Sequence, residues 1–176
     1  LEGLYNVVHI ETELAKLKAV IEQCERDGKE RSDHLVNYIF VGSPGTGKTT
    51  IARAMASMLH DLGVLSRNFV KCCSGLDMQG AYVGQTKDTV NDLMAEAQGG
   101  ILFIDEAYTL GGCHGGAAAF AQEAADQLVK LMTDPEHLRK TVVILAGYKT
   151  EMNAMMAGAN TGLPSRNWSH IEFPDW

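Results

Sequence analysis

Two rhythms of apolar residues alternate along the chain, and the alternation predicts a sheet covered by helices. Leu14, Leu17, Ile21 and Cys24 form one stripe at helical spacing, so residues 11–26 read as an amphipathic helix leading through a polar stretch to a first strand. That strand is the short β-prone run Tyr38-Ile39-Phe40-Val41, after which Ile51, Met55, Met58 and Leu59 return to the helical period. Phe69-Val70-Lys71-Cys72 reads as a second strand. Val90, Leu93, Met94 and Ala97 mark a helix that Gly99 and Gly100 terminate. Residues 101–105, Ile-Leu-Phe-Ile-Asp, are apolar without alternation until the final acid, as a central parallel strand covered on both faces requires. Phe120, Ala124, Leu128 and Leu131 outline another helix, closed by Asp134-Pro135; residues 142–146 form a fourth buried strand and residues 170–173 a fifth. The expected fold is therefore α/β, an open, mainly parallel five-stranded sheet flanked by helices, with its ligand site at the carboxyl ends of the strands. The glycine-rich residues 111–116 read as a mobile surface loop.

Length and charge narrow the picture. The 176 residues suit one domain with a full core. A net charge of −7 argues against a bulk electrostatic grip on nucleic acid or an anionic membrane. The longest apolar runs, 101–104 and 142–146, are too short to cross a bilayer, and no leader pattern opens the chain, so an intracellular, cytoplasmic setting is expected. Cys24, Cys72, Cys73 and Cys113 lack metal-ligand spacing and are expected to be reduced and mostly packed, and Cys113-His114 is a weak zinc signal. The chain opens on Leu1 rather than Met and stops at Trp176 just after a strand-like segment, from which a piece of a longer protein is expected.

The candidate chemistry starts at residues 42–49, Gly-Ser-Pro-Gly-Thr-Gly-Lys-Thr. This is the signature of a P-loop: glycines let backbone N–H groups wrap a phosphate chain, a lysine (Lys48) reaches the outer phosphates and a hydroxyl (Thr49) ligates Mg²⁺. A strand before it and a helix after it supply the required context, and set aside a chance glycine-rich turn. Pro44, Gly45, Thr46, Gly47, Lys48, Thr49 and Thr50 are the expected ATP-binding residues. Asp105 and Glu106 directly follow the third strand. One carboxylate there can serve the Mg²⁺ shell with Thr49, while the second polarises a water for attack on the γ-phosphate.

With these residues in order, the chain resembles the large α/β subdomain of a AAA+ ATPase, close to the group containing the red-type Rubisco activases and sporulation protein K. The matching stretches are residues 42–50, 81–86, 103–108, 142–148 and 171–175, nearly the whole chain. The resemblance implies a ring, commonly a hexamer, that hydrolyses ATP between subunits and pulls on a protein substrate through a central pore. It assigns Tyr82 and Val83 to a first pore loop, residues 111–116 to a second, and a phosphate-sensing place to Tyr148. A half-buried loop tyrosine is the plain alternative for Tyr82. Near the end, Pro164 stands where the group has the first of two arginine fingers and Arg166 matches the second; a finger and an ordinary surface arginine remain equally open for Arg166. The chain stops where the group's helical lid would begin, so weak turnover is expected of this stretch alone. A nucleotide-gated scaffold with slow or absent hydrolysis is the competing class; a small-molecule kinase would need an acceptor lid that is not found.

Overall fold

In the computed structural model, the described residues are 8–30, 32, 35–80, 84–111, 118–158 and 162–174. Among the described residues five α-helices and five strands alternate: α1 (Val8–Arg26), β1 (Asn37–Val41), α2 (Lys48–Asp61), β2 (Val70–Ser74), α3 (Gln85–Glu96), β3 (Ile101–Asp105), α4 (Ala118–Thr133), β4 (Val142–Gly147), α5 (Lys149–Gly158) and β5 (Trp168–Glu172). A short 3-10 helix, Ala107–Gly111, follows β3. The strands form one sheet in the order β2-β3-β4-β1-β5, and every pairing is parallel.

The apolar runs of β1, β3 and β4 lack alternation because both of their faces are covered. Phe40, Phe103, Ile144 and Ala146 point into one core with Ile51, Met55 and Leu59 of α2 and Ile21 of α1. Their neighbours Ile39, Leu102, Ile104, Val143 and Leu145 point into the other, with Val90 and Met94 of α3, Leu128 of α4 and Met152 and Met155 of α5. The Phe40 ring lies edge-on to Phe103 at 6.4 Å and tilted on Phe173 at 5.1 Å, binding the aromatic side chains of the first face to one another. Register pins the functional end: Val41 lies beside Gly147 on one side and Glu172 on the other. Asp105 lies beside Ser74.

Several boundaries differ from the sequence reading. The apolar pattern does not mark α5, β2 begins one residue later and reaches Ser74, and β5 runs 168–172 rather than 170–173. Asp134 and Pro135 do end α4, and Gly99 follows α3 with φ of 79°. Cysteine packing is mixed: Cys24 is buried, whereas Cys72 on the edge strand is exposed. Burial pushes the Cys73 thiol up to about 12, which disfavours its thiolate. Cys113, His114 and most of the 111–116 loop lie outside the described residues. Among the described residues, no helix is long and apolar enough to cross a membrane.

Candidate functional site

β1 delivers the chain to Gly42, where there is no room for a side chain. A Cβ there would sit 2.6 Å from the Phe173 carbonyl oxygen and 2.7 Å from the Phe173 Cβ. The Gly42 amide donates to the Gly147 carbonyl at 3.2 Å, and the Phe173 amide donates to the Val41 carbonyl at 2.8 Å, so β4 and the end of β5 both hold the start of the loop. Gly45 and Gly47 adopt φ of 77° and 89°, the left-handed region that glycine enters without a Cβ penalty. Gly47 is the N-cap of α2 and supplies no side-chain hydrogen bond. The first amides of that helix are therefore free to meet an anion, with the positive end of the helix dipole behind them.

Lys48 opens α2 and is nearly buried, its ammonium donating to the carbonyls of Gly42 at 2.9 Å and Ser43 at 2.8 Å. Burial pulls its pKa below the ordinary value, and the negative charge of Asp105 partly opposes that. Thr46 turns its hydroxyl inward to donate to the Ser43 carbonyl at 2.8 Å.

Across from this loop, β3 ends in Asp105, and the chain turns sharply. Glu106 has φ of 47°, uncommon for a residue with a side chain. Its amide donates to the Asp105 carboxylate at 3.0 Å, and its carbonyl accepts from both the amide and the hydroxyl of Thr109. The 3-10 helix that follows brings Tyr108 against Tyr148, with ring centroids 6.0 Å apart. Gly147 makes this contact possible, since a Cβ there would lie 2.9 Å from the Tyr108 ring. The Tyr108 phenol is held above its ordinary pKa by burial first, then by the charges of Glu106, Tyr148, Glu151 and Asp105.

These walls enclose a cavity of about 340 Å³. Pro44, Gly45, Gly47, Lys48, Thr49 and Thr50 form one side, Asp105, Glu106 and Tyr108 the second, and Gly147 and Tyr148 the third. The Thr46 side chain does not line it, being turned inward onto the Ser43 carbonyl. Arg166 does not line it either, and sits in the turn before β5, its amide bonded to the Leu163 carbonyl. Tyr82 and Val83 lie outside the described residues. The sequence alone does not single out Tyr108 and Gly147 as site residues. Their signal, an aromatic after the acidic pair and a glycine at the end of β4, gains meaning only once β3 and β4 are known to be neighbours.

The donor set fits a magnesium–nucleotide complex. Gly45 and Gly47 hold the left-handed backbone that the loop needs, α2 offers uncapped amides, and a hydroxyl (Thr49) and a carboxylate (Asp105) share the cavity. Among the described residues no group of three or more His, Cys, Asp or Glu could hold a metal by itself. Mg²⁺ does not require one, because it is commonly held by one or two protein oxygens together with phosphates and water.

A parallel sheet with a glycine loop, a buried lysine and an acidic strand end at its carboxyl edge defines a P-loop nucleotide-binding domain. The family described as ATPase family associated with various cellular activities (AAA) matches residues 38–160. Stage V sporulation protein K of Bacillus subtilis is 43% identical over 141 residues, covering 80% of this chain and 42% of that protein. Protein CfxQ of Xanthobacter flavus is 36% identical over 178 residues, covering 99% of this chain and 55% of that protein. The chloroplastic ribulose bisphosphate carboxylase/oxygenase activase of Cyanidioschyzon merolae is 36% identical over 174 residues, 99% of this chain and 58% of that protein. The chain belongs to the AAA ATPase family, whose chemistry is ATP hydrolysis, and the group that its motifs resemble is the one its relatives occupy. It spans about half the length of these relatives.

Proposed function

We propose that residues 1–176 form the large α/β nucleotide-binding subdomain of an Mg²⁺-ATP-driven remodeller that acts on a protein partner within a ring, a hexamer by the group's habit. The observation that carries the reading is the position of Asp105 and Glu106 at the end of β3, on the same cavity as Lys48 and Thr49. The amides of residues 45–50 and the Lys48 ammonium bind the phosphates; Thr49 and Asp105 hold Mg²⁺, which supplies charge neutralisation at the transferred group when bound. Glu106 orients and deprotonates the attacking water, and the Tyr148 phenol, with Tyr108 against its ring, reports on the γ-phosphate by hydrogen bonding. Arg166 completes a neighbouring subunit's site, and Tyr82 with Val83 grips the substrate in the pore.

A protein partner is favoured over nucleic acid by the acidic net charge and by one relative being named as the activase of an enzyme. A cytoplasmic setting belongs to the same proposal, supported by the likeness to a bacterial sporulation protein. Single-turnover ATP hydrolysis by the intact protein is the test. Glu106→Gln is expected to bind ATP normally and hydrolyse it at least about a hundredfold more slowly, in line with a lost general base. Equal single-turnover rates would remove Glu106 from the mechanism. A nucleotide-gated scaffold is the second reading, favoured by Pro164 in the first finger position. Burst-free, near-zero turnover by intact rings, with tight ATP binding, would decide for it.

A further inference from the structure

Glu106 holds a backbone conformation that a residue with a side chain keeps only when its surroundings over-determine it. Those surroundings converge on the two peptide groups flanking it. The Asp105 carbonyl accepts from the Gly75 amide at 2.8 Å, a bond from the turn after β2. The Glu106 carbonyl accepts twice from one residue, the Thr109 amide at 3.0 Å and the Thr109 hydroxyl at 2.9 Å. Any residue but proline offers the amide at 109; the second donor needs a short hydroxyl side chain, serine or threonine.

The hydroxyl is lodged as well as bonded. A Cβ at Gly75 would lie 2.3 Å from Thr109 Oγ1, so the space beside Gly75 is taken by this oxygen. Gln79 closes the arrangement, its amide nitrogen lying 3.4 Å from both the Thr109 and the Gly75 carbonyls. Thr109 itself does not line the nucleotide cavity, while Glu106 does. Its leverage is geometric: the orientation of the peptide after Glu106 and the φ before it fix the direction in which the Glu106 side chain leaves the backbone. A base must stay within hydrogen-bond reach of the water it activates, and misplacement by about 1 Å can cost a hundredfold in rate.

We infer that Thr109 is a positioning residue for hydrolysis, its hydroxyl locking the left-handed backbone of Glu106 so that the carboxylate faces the attacking water. The inference rests on the reading of Glu106 as the hydrolytic base. Thr109→Val removes the hydroxyl at nearly constant volume. Steady-state ATPase of the intact protein is expected to show kcat lowered about tenfold with KM for ATP and nucleotide affinity unchanged, and Thr109→Ser is expected to restore the rate. In a Glu106→Gln background, Thr109→Val is expected to change the residual rate by less than about twofold, because there is no base left to aim.

Full activity of Thr109→Val would overturn the inference. So would equal fractional losses in the wild-type and Glu106→Gln backgrounds, or failure of serine to rescue, since either describes general damage to the fold. If Thr109→Val does not fold, Thr109→Ala takes its place, and unfolding of both overturns the inference by assigning the hydroxyl a purely structural role. A slow Glu106→Gln with a fast Thr109→Val defeats this inference alone; a wild-type rate for Glu106→Gln defeats the base assignment and the inference together.

Discussion

The Lys48 ammonium and the Asp105 carboxylate oppose the effect of burial: desolvation under the phosphate loop pulls the Lys48 pKa below 10.5, and Asp105 pushes it back up. Lys48 is thus a cation that the fold keeps charged against a desolvation cost, aimed where phosphates are expected to bind. Its charge is the quantity a pH titration can read.

Affinity for MgADP is expected to be flat through neutral pH and to fall as pH rises through the lowered Lys48 value, starting below 10.5. Lys48→Arg is expected to shift that fall beyond the measurable range, because a guanidinium does not deprotonate there. Calorimetric titrations at successive pH values check both. For folding, the sign reverses. Between the lowered native pKa and 10.5 the unfolded chain holds more protons, so this group's contribution to stability rises with pH.

Glu106→Gly is expected to raise stability while abolishing hydrolysis. Relief of the left-handed strain is on the order of 1–2 kcal/mol, and the extra freedom of glycine in the unfolded chain returns about 0.5–1 kcal/mol of it. A net gain of about 0.5–1 kcal/mol in denaturant unfolding, with no turnover, is the expected result. Destabilisation would show that the φ of 47° carries no strain.

The glycines of the phosphate loop separate two kinds of necessity. Gly45→Ala meets open space and suffers only its φ of 77°, costing about 1–2 kcal/mol. Gly42→Ala drives a methyl group into the Phe173 backbone carbonyl at 2.6 Å. The second substitution is expected to cost more stability and at least about tenfold in nucleotide affinity, since the loop must shift bodily. Denaturant unfolding and calorimetry on the two variants check the order. Phe173→Ala is not expected to rescue Gly42→Ala, because the obstructing oxygen belongs to the main chain.

Tyr148→Phe keeps the ring contact with Tyr108 and deletes one hydroxyl. If the phenol bonds the γ-phosphate or its water, kcat falls about three- to tenfold, the worth of one hydrogen bond, with ATP affinity within about twofold. Unchanged kcat would reduce Tyr148 to a wall of the cavity.

Arg166 is expected to act only in trans. Its Nε is buried without a hydrogen-bond partner among the described residues. Mixed assemblies of Arg166→Ala and Lys48→Ala subunits are expected to exceed either parent in ATPase rate, because some interfaces then join an intact loop to an intact arginine. Wild-type turnover by Arg166→Ala alone in verified rings would return it to the surface.

What is legible in the sequence follows burial. β1, β3 and β4 stand out because strands covered on both faces have almost no polar positions, and the phosphate loop stands out because its backbone chemistry demands glycine at fixed spacing. α5 does not, since only Met152 and Met155 of its ten residues are buried and two positions make no stripe. The motif does not reveal that the Thr46 hydroxyl turns inward to hold Ser43, which leaves its amide as the group that can meet a phosphate. Tyr108 and Thr109 escape because their roles depend on neighbours in β4 and after β2, contacts between segments far apart in the chain. Cys72 reads as a packed thiol, but the outer position of β2 leaves it exposed.

The bare α-carbon of Gly42 lies against the Phe173 main chain, and its amide is tethered to the last residue of β4. Two backbones in direct contact leave no pliable side chain to absorb a displacement. A displacement of the outer edge of the sheet is therefore expected to be passed directly to the phosphate loop. Only the Phe173–Gly42 approach separates the end of β5, where Lys149 pairs with Glu172 at 2.7 Å on the surface, from the loop that lines the pocket.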